Sequence, residues 1–553
     1  MNEMEMALLV DKAKLWIDNC LEKEEISREL NRIASNPNEL VEAFGKELIF
    51  GTSGMRGIMG YGSNRMNEFV VARASKGLGN YLKKKYSSLK SEEIKVIIAY
   101  DTRLNSEFFA EVTYSVLRDM GIKAFMVNKA APVSYLSYTI LKTNSHMGVM
   151  ITASHNPKFY NGYKVYNQWG YQILDDEAGA ILDEISDIPY FETEIVEATA
   201  IDYVDNDLID EFLDEIHTSM SKCSKTDSKS LNIVYTPLNG AGRDFVLSGL
   251  RKAGFFNIIT VESQMDADGH FTTCPVPNPE KIAAYNEAFK VFDRKNGDII
   301  IATDPDCDRV GVALYKGNMK VLLSGNQLGL LILDYILNCK VFKDGQIITS
   351  IVSSPLVDKI AAEHEASVIR TLTGFKHMGE KILSLEKEDK LDSFVFAFEE
   401  SNGYLAWDFI RDKDGVSTAV LVAEMADYYK SLGMSLLDKL EDLYRKYGTC
   451  HDKTKNFFFE GIDGNEKMAG IMDYFRDYLG NFIAGIEIVN RIDYLKDDTA
   501  LKANVIEYEL RDGTRFLVRP SGTEPKLKIY LFGNKDTRKT EEAIKSVIDK
   551  FYN

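Results

Sequence analysis

Thr152-Ala153-Ser154-His155-Asn156-Pro157 follows the apolar run Met147-Gly148-Val149-Met150-Ile151, and this junction decides how the chain is read. Five apolar residues in succession predict a buried strand, and Asn-Pro ends regular structure because the proline ring disfavours helix at the residue before it. A hydroxyl at the mouth of a strand, flanked by small residues and an imidazole, is well placed to carry a covalent group. Taken alone, Ser154 reads first as the cap of a turn, the common use of serine in such a place. The loops further along the chain change that reading.

Apolar runs of the same kind recur at residues 96–99, 233–235, 299–302, 347–352 and 394–398, alternating with helical stretches. Alternation of this kind predicts βαβ units and a largely parallel sheet in each domain. Within residues 1–45, Trp16, Leu21, Ile26, Leu30 and Ile33 recur at helical spacing among charges. Phe50-Gly51-Thr52-Ser53-Gly54-Met55-Arg56-Gly57 then interrupts the pattern with glycines around one arginine. The tail changes character: residues 505–510 and 516–518 flank Asp512-Gly513, a hairpin signal, and residues 527–532 supply a further strand. The expected fold is therefore three consecutive α/β domains with mixed, largely parallel sheets, followed by a C-terminal α+β domain with an antiparallel sheet. Boundaries are expected to give domains 1–205, 206–325, 326–445 and 446–553. No repeat is visible in the sequence, although three successive α/β blocks are compatible with a structural one.

A chain of 553 residues suits three or four domains at the usual ~150 residues each. Its 45% hydrophobic and 27% charged content is that of a globular protein with real cores. No stretch approaches the ~20 apolar residues of a membrane span. The opening Met-Asn-Glu-Met-Glu is acidic where a signal peptide is basic, and Leu8-Leu9-Val10 is short for its apolar core, so a cytoplasmic location is expected. Six cysteines, at 20, 223, 274, 307, 339 and 450, form no Cys-x-x-Cys pair. That excludes a zinc ribbon or a disulfide framework and suits a reducing compartment. The net charge of −18 argues against nucleic acid. For an anionic substrate, positive charge has to be concentrated in a cleft.

Asp304-Pro305-Asp306-Cys307-Asp308-Arg309 follows the run at 299–302. Carboxylates at alternate positions of a tight loop can converge on a hard divalent cation; the other reading is a solvated acidic turn. An EF-hand fails on spacing, because with Asp304 at position 1, position 6 is Arg309 and position 12 is Tyr315. Cys307 is a soft ligand and reads as a small filler. Glu399-Glu400-Ser401-Asn402-Gly403, after 394–398, suits gripping sugar hydroxyls or is an ordinary polar turn. Arg411-Asp412-Lys413-Asp414 offers cations to a phosphate, or is a solvated face. Arg519-Pro520-Ser521-Gly522-Thr523-Glu524-Pro525-Lys526 combines an arginine, two hydroxyls and a glycine that exposes backbone N–H groups: a phosphate cradle, or a plain turn between strands.

These four loops in this order resemble the α-D-phosphohexomutase superfamily, the phosphoglucomutases and phosphomannomutases, from Phe50 to about Phe532. Gly57-Ile58-Met59-Gly60, Arg65-Met66-Asn67 and Asn161-Gly162-Tyr163-Lys164-Val165-Tyr166 look most like the branch holding bacterial phosphoglucomutases, phosphopentomutases and glucose-1,6-bisphosphate synthases. The resemblance implies four domains around a central cleft. It implies that Ser154 is a phosphoserine, and that Asp304, Asp306 and Asp308 bind Mg2+ with a phosphoserine oxygen completing the site. Arg309 would lie against the substrate, while Thr373, Glu399 and Ser401 would read its hydroxyls. Arg519, Ser521, Gly522 and Thr523 would hold the phosphate that is not reacting. Arg56, His155, Lys164, Lys376 and Lys413 match further active-site positions, with Lys164 and Lys376 as candidate proton shuttles. The chain departs from the family at Cys307, where Gly or Ala is frequent, and at Leu372, where many phosphoglucomutases have Pro.

The expected partner is a small sugar phosphate, with no nucleic acid and no membrane. The expected activity is that of an isomerase. Ser154 would phosphorylate the free hydroxyl of a bound hexose monophosphate, the bisphosphate would turn end for end, and its other phosphate would return to Ser154. Glucose 1,6-bisphosphate would be both intermediate and activator. The Glu-Glu-Ser form of the sugar loop favours glucose over the Glu-Met-Ser form of dual glucose/mannose enzymes. Phosphopentomutase, phosphomannomutase and glucose-1,6-bisphosphate synthase activities stay open, as do a phosphatase and a non-catalytic sugar-phosphate sensor. For His155, a structural hydrogen bond is expected ahead of proton transfer, since adjacent residues seldom present their side chains to one another.

Overall fold

The computed structural model describes residues 3–51, 54–195, 200–226, 229–459, 464–477, 480–521, 526–534 and 537–551. Within them, four sheets carry the fold. The first holds β1 (Gly54–Ile58), β2 (Lys95–Tyr100), β3 (Lys123–Met126), β4 (Met147–Ile151) and β5 (Tyr160–Asn167), in the order β1-β5-β4-β2-β3. The second holds β6 (Ile233–Thr236), β7 (Ile258–Thr260), β8 (Ile299–Thr303), β9 (Val310–Lys316) and β10 (Met319–Leu322), in the order β10-β9-β8-β6-β7. The third holds β11 (Gln346–Ser350), β12 (Ser367–Thr371), β13 (Phe394–Glu399) and β14 (Gly403–Leu405), in the order β12-β11-β13-β14.

These three sheets share one plan. The first strand of each parallel set lies between the second and the third, and a fourth strand folds back antiparallel on the third. The third strands β4, β8 and β13 are buried along their whole length, as unbroken apolar runs require when both faces of a sheet are covered. The three α/β blocks are therefore a structural repeat. Its consequence is positional: the turns from third to fourth strand hold Ser154, the aspartate triplet and Ser401, so three of the four candidate loops are topologically equivalent.

The last sheet is antiparallel throughout. It runs through β15 (His451–Phe458), β16 (Phe482–Ile483), β17 (Ile486–Asp493), β18 (Ile506–Leu510), β19 (Arg515–Pro520) and β20 (Lys526–Gly533) in the order β15-β20-β19-β18-β17-β16. Helices Gly464–Asp477 and Arg538–Asp549 pack Met468, Ile471, Ile544 and Ile548 against its Phe516, Val518 and Leu527, giving this block its own core.

The chain's first residues form helices Glu3–Asn19, Glu24–Ala34 and Pro37–Phe44, the last opened by the Asn36 side chain accepting from the backbone of Asn38 and Glu39. Trp16 fastens them to the first block. It is 2% exposed and lies 5.1–5.7 Å from the rings of Phe44, Phe69, Tyr190 and Phe191. Replacing so large a ring by a methyl leaves a cavity, so Trp16→Ala is expected to cost about 3–5 kcal/mol, read as a lower denaturation midpoint in urea. No helix of the described residues is long and apolar enough to cross a membrane.

Candidate active site

After β4 the chain turns through Ser154 in the left-handed region, at φ 52°. The equivalent turns place Cys307 at 51° and Asn402 at 62°. Each costs a non-glycine residue on the order of 1–3 kcal/mol, and such strain persists where surrounding contacts over-determine the backbone. At Ser154 those contacts are visible: its N–H donates to Thr152 Oγ1 at 2.8 Å, and that hydroxyl donates to Asp101 Oδ2 at 2.6 Å. Ser154 Oγ is buried and donates to Oδ2 of Asp304, the first carboxylate of the aspartate loop, at 2.9 Å. His155 Nδ1 lies 3.2 Å from the same hydroxyl. The left-handed turn folds the imidazole back onto its neighbour, so these two adjacent side chains meet. Burial, together with the nearby charges of Arg309 and Arg56, holds His155 well below its ordinary pKa, so it is neutral at pH 7.

Asp304, Asp306 and Asp308 are at most 1% exposed, which rules out a solvated acidic turn. One carboxylate oxygen from each lies within 4.8 Å of the others. Asp304 Oδ1 accepts from the backbone of Asp308 at 3.1 Å and Arg309 at 3.0 Å, closing the loop. Asp306 Oδ1 and Asp308 Oδ1 are buried without a hydrogen-bond partner. Orphaned buried carboxylate oxygens are costly, and a hard divalent cation with oxygen ligands is the group that satisfies them, so the donor set fits magnesium. Burial and the charges of Asp308 and Asp306 push the Asp304 carboxyl well above its usual range. Burial would also raise Asp308, but Lys413, Lys164 and Arg309 together outweigh it and hold that carboxyl below the usual range. Cys307 is fully buried, and a Cβ built on Gly242 or Gly415 would come within 2.8 or 3.0 Å of its sulfur. It is the small filler expected.

Cations gather around this acidic centre. Lys164, on β5, places Nζ 2.8 Å from Asp306 Oδ2 and 3.4 Å from Asp308 Oδ2. Lys413 Nζ lies 3.1 Å from Asp308 and 3.4 Å from Asp412. Burial disfavours the Lys413 ammonium, but Asp308, Asp412 and Glu399 keep it charged. Arg309 Nε is 3.7 Å from Asp308 and 3.9 Å from Asp304, and its Nη1 donates to Glu280. Arg56 Nη1 donates to Asn156 Oδ1 at 3.0 Å, on the far side of the serine turn. The two shuttle candidates are held differently: Lys164 by the metal-loop carboxylates, Lys376 by Asp175 at 2.6 Å at the start of helix Asp175–Ser186.

Glu399 closes β13 and is 8% exposed. Beside it, burial and the Glu399 charge push Glu400 up to about 7, and Ser350 donates to Glu400 at 3.1 Å. The half-buried Ser401 sits in a turn tied to β9, because Asn402 Nδ2 donates to the Val310 carbonyl at 2.9 Å and Val310 N–H donates back at 3.1 Å. Thr373, also half-buried, precedes Gly374, whose φ of 110° only glycine adopts readily. Arg519 is in register with Lys528 across β19 and β20, and Ser521 N–H bonds back to the Lys526 carbonyl at 2.7 Å. Burial lowers Lys528 against the opposing charge of Glu400, with Lys526 and Arg519 lowering it further, so this strand and the Glu399–Ser401 loop are electrostatically linked. Gly522 and Thr523 lie outside the described residues.

Sequence reasoning missed Asp101, Arg103, Asp175, Glu280 and Lys528. A signal existed for the first pair: Asp101-Thr102-Arg103 follows the apolar run at 96–99 as the other loops follow theirs.

Four family models match the chain: phosphoglucomutase/phosphomannomutase alpha/beta/alpha domain I over residues 47–190, domain II over 210–317, domain III over 324–447, and the C-terminal domain over 476–550. The chain is similar to the phosphoglucomutase of Staphylococcus haemolyticus (strain JCSC1435), at 34% identity over 516 residues, covering 90% of this chain and 92% of the relative. A crystal structure of a phosphoglucomutase/phosphomannomutase family protein from Burkholderia thailandensis superposes with a TM-score of 0.68 at 17% identity, covering 92% and 98% of the two chains. Aspergillus fumigatus N-acetylphosphoglucosamine mutase, in complex with GlcNAc-6P and magnesium, superposes with a TM-score of 0.52 at 12% identity, covering 91% and 95%. These two structures share the fold.

Proposed function

Because the chain belongs to the phosphoglucomutase/phosphomannomutase family and is thus a phosphoryl-moving isomerase, we propose that it interconverts α-D-glucose 1-phosphate and D-glucose 6-phosphate through a phosphoserine at Ser154 and a glucose 1,6-bisphosphate intermediate. The observation that carries this reading is the buried Ser154 hydroxyl 2.9 Å from Asp304, at the edge of a carboxylate triplet with two orphaned oxygens.

Phosphoryl transfer asks little covalent chemistry of a protein; it needs positioning and charge stabilisation. Magnesium held by Asp304, Asp306 and Asp308 would neutralise charge on the transferring phosphoryl group. The chain's own cations add to that stabilisation. Lys164, Arg309 and Lys413 converge on the triplet and supply the local positive charge that an anionic substrate requires of an otherwise acidic protein. In the forward half-reaction the bond from phosphorus to Ser154 Oγ breaks and one to the sugar oxygen forms. The sugar hydroxyl gives up its proton to Lys164, Lys376 or His155, and Ser154 Oγ regains one. A neutral imidazole takes a proton and does not supply one, so His155, 3.2 Å from Oγ, is a candidate acceptor. The proton regained by Oγ would come from Lys164, the shuttle candidate held as an ion pair against the triplet. Arg519, Ser521, Gly522 and Thr523 anchor the idle phosphate, Thr373, Glu399 and Ser401 read the hydroxyls, and Arg56 steadies the serine turn through Asn156. The bisphosphate then reverses in the cleft, and the cycle runs backwards.

Glucose is favoured by the Glu399-Glu400-Ser401 loop and by the phosphoglucomutase names of relatives such as that of S. haemolyticus. A coupled assay with the 1-phosphates of glucose, mannose, ribose and deoxyribose is expected to give the highest kcat/KM for glucose, without free phosphate release. Faster turnover of ribose would reassign the enzyme as a phosphopentomutase. Stoichiometric release of phosphate would make it a phosphatase.

A further inference from the structure

We infer that Arg103 is the positioning residue of the phosphoryl-carrying turn, fixing Ser154 Oγ over the metal loop by gripping its backbone without touching the hydroxyl; this rests on Ser154 being the phosphoryl carrier. The Arg103 side chain has no exposed surface. Its Nη1 donates to the carbonyls of Pro157 at 3.0 Å and Tyr160 at 3.2 Å, and its Nη2 donates to those of Ser154 and Asn156. One guanidinium thus satisfies four carbonyls spread over the whole turn from β4 to β5. The other side of the turn reaches the same place. Ser154 N–H bonds Thr152 Oγ1, which bonds Asp101 Oδ2, and Asp101 Oδ2 lies 3.3 Å from Arg103 Nε. Asp101 Oδ1 is held in turn by the Arg103 N–H at 3.0 Å and by Ser106 Oγ at 2.6 Å. Ser154 is therefore tied before and after itself to a single buried ion pair.

The clamp also joins two blocks. The fully buried ring of Phe271, from the segment between β7 and β8, covers the guanidinium at 5.0 Å. Carbonyls from the first block and a ring from the second therefore meet on one side chain, and the second block carries Asp304, the partner of Ser154 Oγ. The demand is for a planar fork that places four N–H donors on four carbonyls. An ammonium has three donors and no plane, so lysine keeps the charge opposite Asp101 but cannot reach four carbonyls. A left-handed serine released from those bonds is free to relax, and its oxygen leaves the line of transfer.

The test uses the full-length protein as Arg103→Lys and Phe271→Leu, with Ser154→Ala alongside. It measures thermal midpoint, kcat, KM for glucose 1-phosphate, and the rate at which Ser154 takes phosphate from glucose 1,6-bisphosphate. A displacement near 1 Å at a reacting atom costs about 10²-fold, so Arg103→Lys is expected to lose about that much kcat while KM stays within about threefold. The Ser154 phosphorylation rate is expected to fall in step with kcat. Phe271→Leu keeps the carbonyl bonds and loses the ring face, and is expected to lose about 10-fold in kcat at unchanged KM. A folded Arg103→Lys with normal kcat, or one whose KM rises with the loss, overturns the inference. Should Arg103→Lys not fold, Phe271→Leu with normal kcat overturns it equally. If Ser154→Ala is inactive and both clamp variants are normal, only this inference fails; if Ser154→Ala is active, the phosphoserine reading fails with it.

Discussion

Ser154→Ala is expected to lose mutase turnover by at least about 10⁴-fold while remaining folded, because deleting a covalent carrier removes the route and not merely a contact. The substitution takes away one oxygen whose hydrogen bonds are to Asp304 Oδ2 and the His155 ring. The backbone at 154 stays pinned by Thr152 and Arg103, so the turn keeps its shape. Alanine at φ 52° bears the same left-handed strain as serine. Stability should accordingly change by about 1 kcal/mol, the scale of one net hydrogen bond. Binding of glucose 1-phosphate should persist, since on the proposed reading the idle phosphate and the hydroxyls would be held by residues of the third and fourth blocks. Turnover near that of the unaltered protein would show that the phosphoryl group travels by another path.

Stripping divalent cations with EDTA is expected to abolish activity, and Mg2+ to restore it. Asp306→Asn should lower kcat by about 10²–10³-fold at saturating Mg2+, the cost of losing one preorganised electrostatic contact at a developing charge. Asp306 is chosen because one of its oxygens is orphaned and the other is shared with Lys164. A readout independent of activity is available. An ion bound by the folded protein alone raises its stability, by about 2.7 kcal/mol at a hundredfold excess over Kd, so Mg2+ should raise the thermal midpoint. In Asp306→Asn that increment should shrink. Full activity after chelation, with no effect of Mg2+ on the midpoint, would contradict the metal assignment.

What was legible in the sequence followed from burial. β4, β8 and β13 are covered on both faces, so they are unbroken apolar runs, and each announces the loop that follows it. Their antiparallel neighbours β5, β9 and β14 escaped notice. β5 mixes Asn161 and Lys164 with its apolar residues because it borders the active site, so it shows neither a continuous apolar run nor clean alternation. β1 read as a glycine break, although its glycines serve a strand: a Cβ on Gly54 would lie 1.9 Å from the Tyr163 carbonyl of β5. The shared plan of the first three blocks was invisible because it resides in strand order, while the three equivalent turns carry different chemistry.

Of the candidate site, the serine turn and the aspartate triplet were legible because each is a short motif with its chemistry adjacent in sequence. The pairing of Lys376 with Asp175 and the grip of Arg103 on residues 154–160 join segments far apart in the chain, which no local pattern encodes. His155 meets Ser154, although neighbours seldom present their side chains to one another, because the backbone at Ser154 is left-handed.

That Ser154 carries the phosphoryl group between the two ends of one sugar is open to direct observation, by peptide mass spectrometry of the protein after incubation with glucose 1,6-bisphosphate and Mg2+. One phosphate is expected, on the peptide containing Ser154 and localised to that residue, and excess glucose 1-phosphate should then remove it with formation of bisphosphate. A protein that turns over substrate while Ser154 stays unmodified, or that carries the transferable phosphate on another residue, would refute the phosphoserine mechanism.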